Sequence, residues 1–334
     1  MSNGLIWLTE QDVVSLVTLD DAIAALERTA ADEGAFNVPK ALAGYEDGSS
    51  MHSLGSAAPA LGYAGFKTWL NTKRGATAVY SMFDSRNGAL LAMIEAGALG
   101  QLRTSAMSGL GTRWQAPEGA DEMALVGTGF QAMTQVAAVN AVRSLKRVRV
   151  FSPTPDKRQA FVAKLRERMD LEVIESTSLE QAVADAPIVT LVTRAKDAFL
   201  SASMLARGAH LNAVGAILPQ NAEFHQDVFE RVHSVVVDDI PNTQKASSEF
   251  IQRFGGERGW GEVRSIGEVI RSGKSARPAG CDLSLFKSMG MGLSDLAVAI
   301  MAYERARDRG IGRPIPAATR AAPTWQADRA RAGR

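Results

Sequence analysis

The stretch at 123–136, MALVGTGFQAMTQV, decides the fold. Met123-Ala124-Leu125-Val126 is a short apolar run of strand type. Gly127-Thr128-Gly129 is a tight turn, and a helix-like run opens at Phe130 and Gln131. A G-x-G carries meaning in this order, because the free N–H groups and positive end of the helix then face an anion. Gly127 permits the turn, Gly129 lets main chain approach a diphosphate, and Ala132 lets the helix close on the strand. The plainer alternative is a merely well-packed β-α turn. The flanking strand and helix favour dinucleotide binding.

Working outward, strand-like segments at 123–127, 148–151, 171–175, 188–193, 210–214 and 234–238 alternate with helix-like ones such as Gln131–Ser144 and Lys157–Met169. That alternation predicts an α/β fold, a Rossmann-type doubly wound parallel sheet with helices on both faces. A long helix is predicted over 292–310, with Ser294 as N-cap and Gly310 as stop. Upstream, Thr9 with Asp12 and Thr18 with Asp21 have near capping-box spacing, and Ile23, Leu26 and Ala30 recur at helical period. The pieces "VPKALAGYEDGSSMHSLGSA", "YAGFKTWLN", "ATAVYSMFD" and "ALLAMIEAG" read as hairpins of a mostly antiparallel sheet, with Asn87-Gly88 as a turn. The final "PTWQADRARAGR" reads as a frayed tail with Trp325 docked.

A chain of 334 residues exceeds one ordinary core, so two domains are expected. With 37 basic and 36 acidic residues, net charge is +1, which gives no electrostatic reason to expect nucleic acid or a membrane surface as partner. Cys281 is the only cysteine, so no intrachain disulfide can form, and four scattered histidines give no support for a metal cage. No apolar run approaches the ~20 residues that span a bilayer. The first residues lack the basic start and apolar core of a signal peptide, so a reducing cytoplasm is the expected setting.

The coenzyme is expected to be NAD or NADP. An NAD site usually has a carboxylate at the tip of the second strand, to hold the ribose. Here "VRVFSPTPDKR" puts Ser152 at that tip, followed by Thr154, Lys157 and Arg158. Neutral hydroxyls and cations tolerate a 2′-phosphate, which gives a lean to NADP; Asp156, close by, weakens it. Thr193, at the carboxyl end of a predicted strand, lies where coenzyme commonly sits.

"LGQLRTSAMSGLGTRW" (99–114), just upstream of the glycine turn, resembles the ornithine cyclodeaminase/mu-crystallin family. So do "GFK" (65–67), "HLNAVGA" (210–216), "SVVVDD" (234–239) and "LFKSMGMGLSDLAVA" (285–299). These blocks stand in the family's order over roughly residues 20–310. The resemblance implies a discontinuous layout: a dimerisation and substrate domain from 1–118 with 311–334, and a Rossmann domain over 119–310. It implies a homodimer. It also implies hydride transfer between nicotinamide and a carbon bearing nitrogen, as reduction of an imine, oxidation of an amino acid, or deamination and cyclisation of ornithine. A few relatives bind thyroid hormone. Thr104, Val214 and Gly215 in the matching blocks, with Thr128, Phe130 and Gln131, are read as coenzyme positions.

By the same resemblance, Lys67 matches the lysine at the reaction centre, against the plainer reading of a snorkelling strand lysine. Arg103 matches the arginine that clamps the substrate carboxylate; its planar fork suits that task. Two matches fail. Lys40 in "NVPKAL" stands near a second carboxylate-binding arginine, keeping charge but losing the fork. In "AVGAILPQNAEF" (213–224), the slot of the cyclodeaminase aspartate holds Ile217 or Leu218, which argues against ornithine cyclodeamination. His52 is a candidate for binding a carboxylate or donating a proton. Lys73 and Arg74 could meet a second carboxylate but read more simply as a solvated turn. Asp295 either orients main chain near the site or favours its helix start. The expectation is an NAD(P)H-dependent reductase of a small imino acid, or dehydrogenase of the amino acid. The rivals are a cyclodeaminase and a non-catalytic binding protein.

Overall fold

Two sheets organise the computed structural model, which describes residues 4–45, 48–257, 259–317 and 319–323. Trp325 and the docking expected of it lie outside the described residues. The first sheet contains β1 (Ile6–Leu8), β2 (Phe36–Gly44), β3 (Ser50–Ala58), β4 (Tyr63–Thr72), β5 (Gly75–Asp84), β6 (Leu90–Glu95) and the late β15 (Arg313–Pro314). Its order is β15-β1-β6-β5-β4-β3-β2. All pairings are antiparallel except β1 with β6. Side chains alternate between faces, so Leu54, Lys67, Tyr80, Ile94 and Leu8, paired in one row across five strands, all point inward.

Between β1 and β2 come α1 (Glu10–Leu16) and α2 (Leu19–Ala31), each opened by a complete capping box, on Thr9/Asp12 and Thr18/Asp21. After it runs α3 (Gly97–Gln115), which packs against both halves of the molecule.

The second sheet contains β7 (Glu122–Val126), β8 (Arg147–Phe151), β9 (Glu172–Glu175), β10 (Ile188–Leu191), β11 (Ala209–Ala213), β12 (Val232–Val237), β13 (Val263–Ser265) and β14 (Leu283–Lys287). The order is β13-β12-β14-β11-β10-β7-β8-β9, all parallel. Around it lie α4 (Ala132–Val142), α5 (Pro155–Arg168), α6 (Leu179–Val183), α7 (Ile240–Ala246), α8 (Ser248–Phe254) and α9 (Ile266–Ser272), followed by α10 (Gly292–Arg309). This is the doubly wound sheet read from the sequence.

Three differences have physical causes. β14 sits in mid-sheet, yet its sequence LSLFK hides a strand because Ser284 and Lys287 interrupt the apolar run. Lys287 is tolerated there because its ammonium donates to the Ala216 carbonyl at 2.7 Å and lies 3.6 Å from the Glu249 carboxylate. Ser294 does not cap α10: the N-cap is Met291, and Ser294 Oγ donates back to the Met291 carbonyl. Finally α10, placed by the sequence reading in the dinucleotide unit, packs on α2, α3, β3 and β4 and buries Leu296, Ala299 and Tyr303 in the core beneath the first sheet. A Cβ at Gly292 would fall 2.2 Å from the Gly55 carbonyl, so only glycine lets α10 come down directly on β3.

Candidate active site

Four strands and two helices bring the reacting side chains together. On β4, Lys67 and Trp69 share the inward face, and the Lys67 ammonium lies 5.1 Å from the Trp69 ring centroid. Trp69 pairs in register with His52 of β3, and the two rings stack at 4.5 Å, 6° from parallel. From α10, Asp295 projects between two cations. Its Oδ1 lies 2.7 Å from Lys67 Nζ and 3.2 Å from Arg103 Nε of α3. Asp295 Oδ2 is buried and makes no hydrogen bond within the protein, and the buried Tyr80 hydroxyl lies beside Ser56.

The electrostatics follow from this crowding. Burial and the Arg103 charge bring the Lys67 ammonium down to about 8, against the opposing pull of Asp295. Lys40 on β2 is lowered as well, by burial and by Arg103. His52 is pushed down to about 4 by burial and by Lys40, so it is neutral near pH 7; its Nε2 is 2.7 Å from Ser50 Oγ, and its Nδ1 has no partner. Burial and Asp295 raise the Tyr80 phenol. Lys40, His52, Lys67 and Arg103 thus lie near enough for their charges to act on one another in turn. Lys73 and Arg74 lie exposed in the β4–β5 turn.

Asp238 fixes a turn next to Arg103. Asp238, at the end of β12, accepts from Ser288 Oγ at 2.8 Å and from the Met289 and Gly290 amides at 2.9 and 2.7 Å. This sets the 288–290 turn. Gly290 has φ +84°, and a Cβ there would come within 2.9 Å of Arg103 Nη1.

The glycine turn lies on the other side of α3. Gly127 has φ +112°, and its amide donates to the Phe151 carbonyl at 2.8 Å; a Cβ would meet the Val192 carbonyl at 2.7 Å. A Cβ on Gly129 would project into open space, and Phe130 beside it is 69 % exposed. Gln101 of α3 donates to the Phe130 carbonyl at 2.8 Å, tying the turn to the helix that carries Arg103 and Thr104. Thr104 Oγ1 donates to the Gly100 carbonyl. Gln131 Oε1 has no partner. An open main-chain turn with spare polar atoms fits a nicotinamide dinucleotide.

At the carboxyl ends of β10 and β11, buried Glu223 accepts from Thr193 N and Oγ1, both at 2.8 Å, and from Gly215 N and Ala216 N at 2.8 and 3.0 Å. Gly215 is needed for this approach, since a Cβ would fall 2.2 Å from the Thr193 carbonyl. Val214 is buried and donates to the Leu191 carbonyl. At the second strand's tip Ser152 is buried and Thr154 exposed. Arg158, read as facing the coenzyme, instead turns inward: Nε lies 2.8 Å from the Glu175 carboxylate and Nη1 donates to the Ser152 carbonyl at 2.7 Å.

The sequence matches the ornithine cyclodeaminase/mu-crystallin family profile over residues 10–310. The chain belongs to that family. It is 30% identical over 246 residues to a Delta(1)-pyrroline-2-carboxylate reductase of Bacillus cereus, covering 73% of this chain and 75% of the relative. An alanine dehydrogenase of Archaeoglobus fulgidus is 27% identical over 322 residues, 92% of this chain and 97% of the relative. Among solved structures, a Thermococcus litoralis Delta(1)-pyrroline-2-carboxylate reductase in complex with NADH and L-proline superposes with a TM-score of 0.87. It is 22% identical and covers 93% of this chain and all of that one, which establishes the shared fold.

Asp295, Trp69, Tyr80, Glu223, Asp238 and Gln101 stand beside the candidate residues without having been chosen as site residues from sequence. Asp295, Gln101 and Asp238 had a signal, since each lies in a block that resembles the family (285–299, 99–114 and 234–239). The others are ordinary residues whose meaning depends on what they meet.

Proposed function

We propose that this family member is an NAD(P)H-dependent reductase of small 2-imino acids, running in reverse as an amino-acid dehydrogenase. The observation that carries the reading is the shared Asp295 carboxylate, which sets a lysine and an arginine side by side at the carboxyl edge of a dinucleotide-binding sheet. The bound nicotinamide supplies or accepts the hydride. Gly127, Thr128, Gly129, Phe130 and Gln131 would hold the diphosphate, with Thr104, Thr193, Val214 and Gly215 along the rest of the coenzyme.

Arg103 keeps its Nε on Asp295 and presents its terminal nitrogens to the substrate carboxylate, with Lys40 as a second cation. Lys67, with a pKa near 8, holds or passes the proton of the substrate nitrogen at Nζ. Asp295 steadies both cations. Trp69 and Tyr80 wall the space against water, which strengthens each charge interaction. His52, neutral, offers a hydrogen bond and no charge. Holding imine carbon and hydride donor in contact supplies much of the rate.

The coenzyme is NADH or NADPH, with a modest advantage to NADPH. No carboxylate stands at position 152, but Arg158 is committed elsewhere, which leaves exposed Lys157 as the nearby cation. The protein is a homodimer. Phe36, Met51, Phe66 and Leu70 lie exposed on the outward face of the first sheet, an apolar patch suited to a second copy.

The test is a spectrophotometric screen. Glyoxylate, pyruvate, oxaloacetate and cyclic imino acids are offered with ammonia or methylamine, and NADH and NADPH oxidation are followed separately. Oxidation that depends on both the oxo acid and the amine supports the reading, and none across the panel defeats it. Proline and ammonia from ornithine, with no net change in coenzyme, would point to a cyclodeaminase instead.

A further inference from the structure

Beside the cationic group lies a narrow cleft of about 90 Å³. Leu42, Ile217, Leu218 and Met289 supply most of its wall, and Lys40 and Lys245 reach it from two sides. Its position follows from the topology. Ile217 comes directly after the Gly215-Ala216 amides held by Glu223 at the end of β11, and Met289 directly follows β14 in the turn held by Asp238. The cleft therefore opens at the carboxyl edge of the parallel sheet, with Lys40, a neighbour of Arg103, on its rim. Of the cationic group, Lys40 is the residue that lines the cleft, so a substrate carboxylate set against Lys40 would leave its side chain within reach of it.

The chemistry of the walls selects. Among the described residues no carboxylate lines the cleft, and both charged groups that reach it are ammonium groups. A side chain ending in an ammonium would meet two like charges and a mostly apolar wall, with the Asn242 amide as the one neutral polar side chain among the lining residues, an arrangement that disfavours the charged form. An anionic side chain could approach the two lysines but would leave part of its carboxylate against Ile217 and Leu218. An uncharged apolar side chain gains burial throughout. By comparison with a 150 Å³ apolar cavity that admits benzene, this volume holds about three or four carbon atoms.

We propose that this cleft is the side-chain pocket, that it selects 2-imino acids and amino acids with uncharged apolar side chains of up to about four carbons, and that Ile217 is the residue that sets this preference. The proposal rests on the imino-acid reading above and adds the class of side chain.

The test compares L-norleucine with its isostere L-ornithine and with L-glutamate. Each is titrated calorimetrically into the full-length protein saturated with NAD+ or NADP+, and the parallel kcat/KM series uses ammonia with pyruvate, 4-methyl-2-oxopentanoate and 2-oxoglutarate. Norleucine is expected to bind about tenfold or more tighter than either charged amino acid. Ile217→Asp is expected to shift the norleucine-to-ornithine ratio about tenfold toward ornithine. Ile217→Phe, which fills the cleft, is expected to penalise the four-carbon side chain about tenfold more than the one-carbon one. Ornithine binding as well as norleucine, or an Ile217→Asp ratio equal to wild type, overturns the proposal. Tighter glutamate binding also overturns it and makes Lys40 and Lys245 a second carboxylate site. If no imine is reduced yet norleucine is still selected, the catalytic reading fails and the pocket stands.

Discussion

Lys67 and Asp295 are 228 residues apart along the chain and 2.7 Å apart in the fold. The same Asp295 oxygen lies within 3.2 Å of Arg103, so one buried carboxylate sets the spacing and charge of both cations. Most of what can be tested follows from that arrangement.

Replacing Asp295 by Asn leaves Lys67 and Arg103 repelling each other without a counter-charge. The kcat for imine reduction is expected to fall about 100-fold, the scale of a displaced proton-transfer group. Steady-state kinetics of D295N beside wild type checks this; a loss below threefold would remove Asp295 from the mechanism.

The pH profile carries a sign. The Lys67 pKa lies near 8, below the 10.5 of an ordinary lysine, so the ammonium predominates below pH 8 and is lost progressively above it. A reduction that uses the ammonium should lose kcat/KM as pH rises through about 8. Asp295 raises this pKa, so in D295N the descending limb is expected to move to lower pH. A limb that stays in place in that variant would assign it to another group.

The two glycines of the turn should fail differently. At Gly127, with φ +112° and the Val192 carbonyl in the way, Ala is expected to cost about 1–3 kcal/mol of stability. At Gly129 a Cβ meets nothing in the fold, so Gly129→Val should leave the melting temperature close to wild type while weakening NADH binding by about tenfold or more. Thermal melts and coenzyme titrations on both variants separate the effects.

Gly290→Ala pushes a methyl toward the Arg103 guanidinium from a backbone conformation that disfavours it. The KM for the imino acid is expected to rise about tenfold with coenzyme affinity retained, the mark of a misplaced carboxylate clamp. Equal losses for both ligands would indicate general unfolding instead.

Arg158→Met breaks the part-buried pair with Glu175 and frees the Ser152 carbonyl. A loss of about 1–3 kcal/mol of stability is expected, with little change in the NADPH-to-NADH preference. If the variant instead loses NADPH selectively, Arg158 must turn outward to the 2′-phosphate when coenzyme binds.

The capping boxes at Thr9 and Thr18, the strand–glycine–helix turn at 123–136 and the β-α alternation around it were all legible in the sequence. Each depends on residues a few positions apart, where spacing and backbone preference leave little choice. Lys67 and Arg103 were singled out by the family resemblance, and the fold sets both against Asp295. Strand 283–287 was hidden, because a lysine in mid-sheet is intelligible only once Glu249 and the Ala216 carbonyl are seen around it. Arg158 looked like a phosphate ligand until Glu175, 17 residues on, turned it inward. The place of α10, the partners of Asp295 and the depth of the cleft beside Ile217 belong to the tertiary structure alone. They arise where segments far apart in the chain exclude water together, and burial, not local spacing, determines which charges must meet.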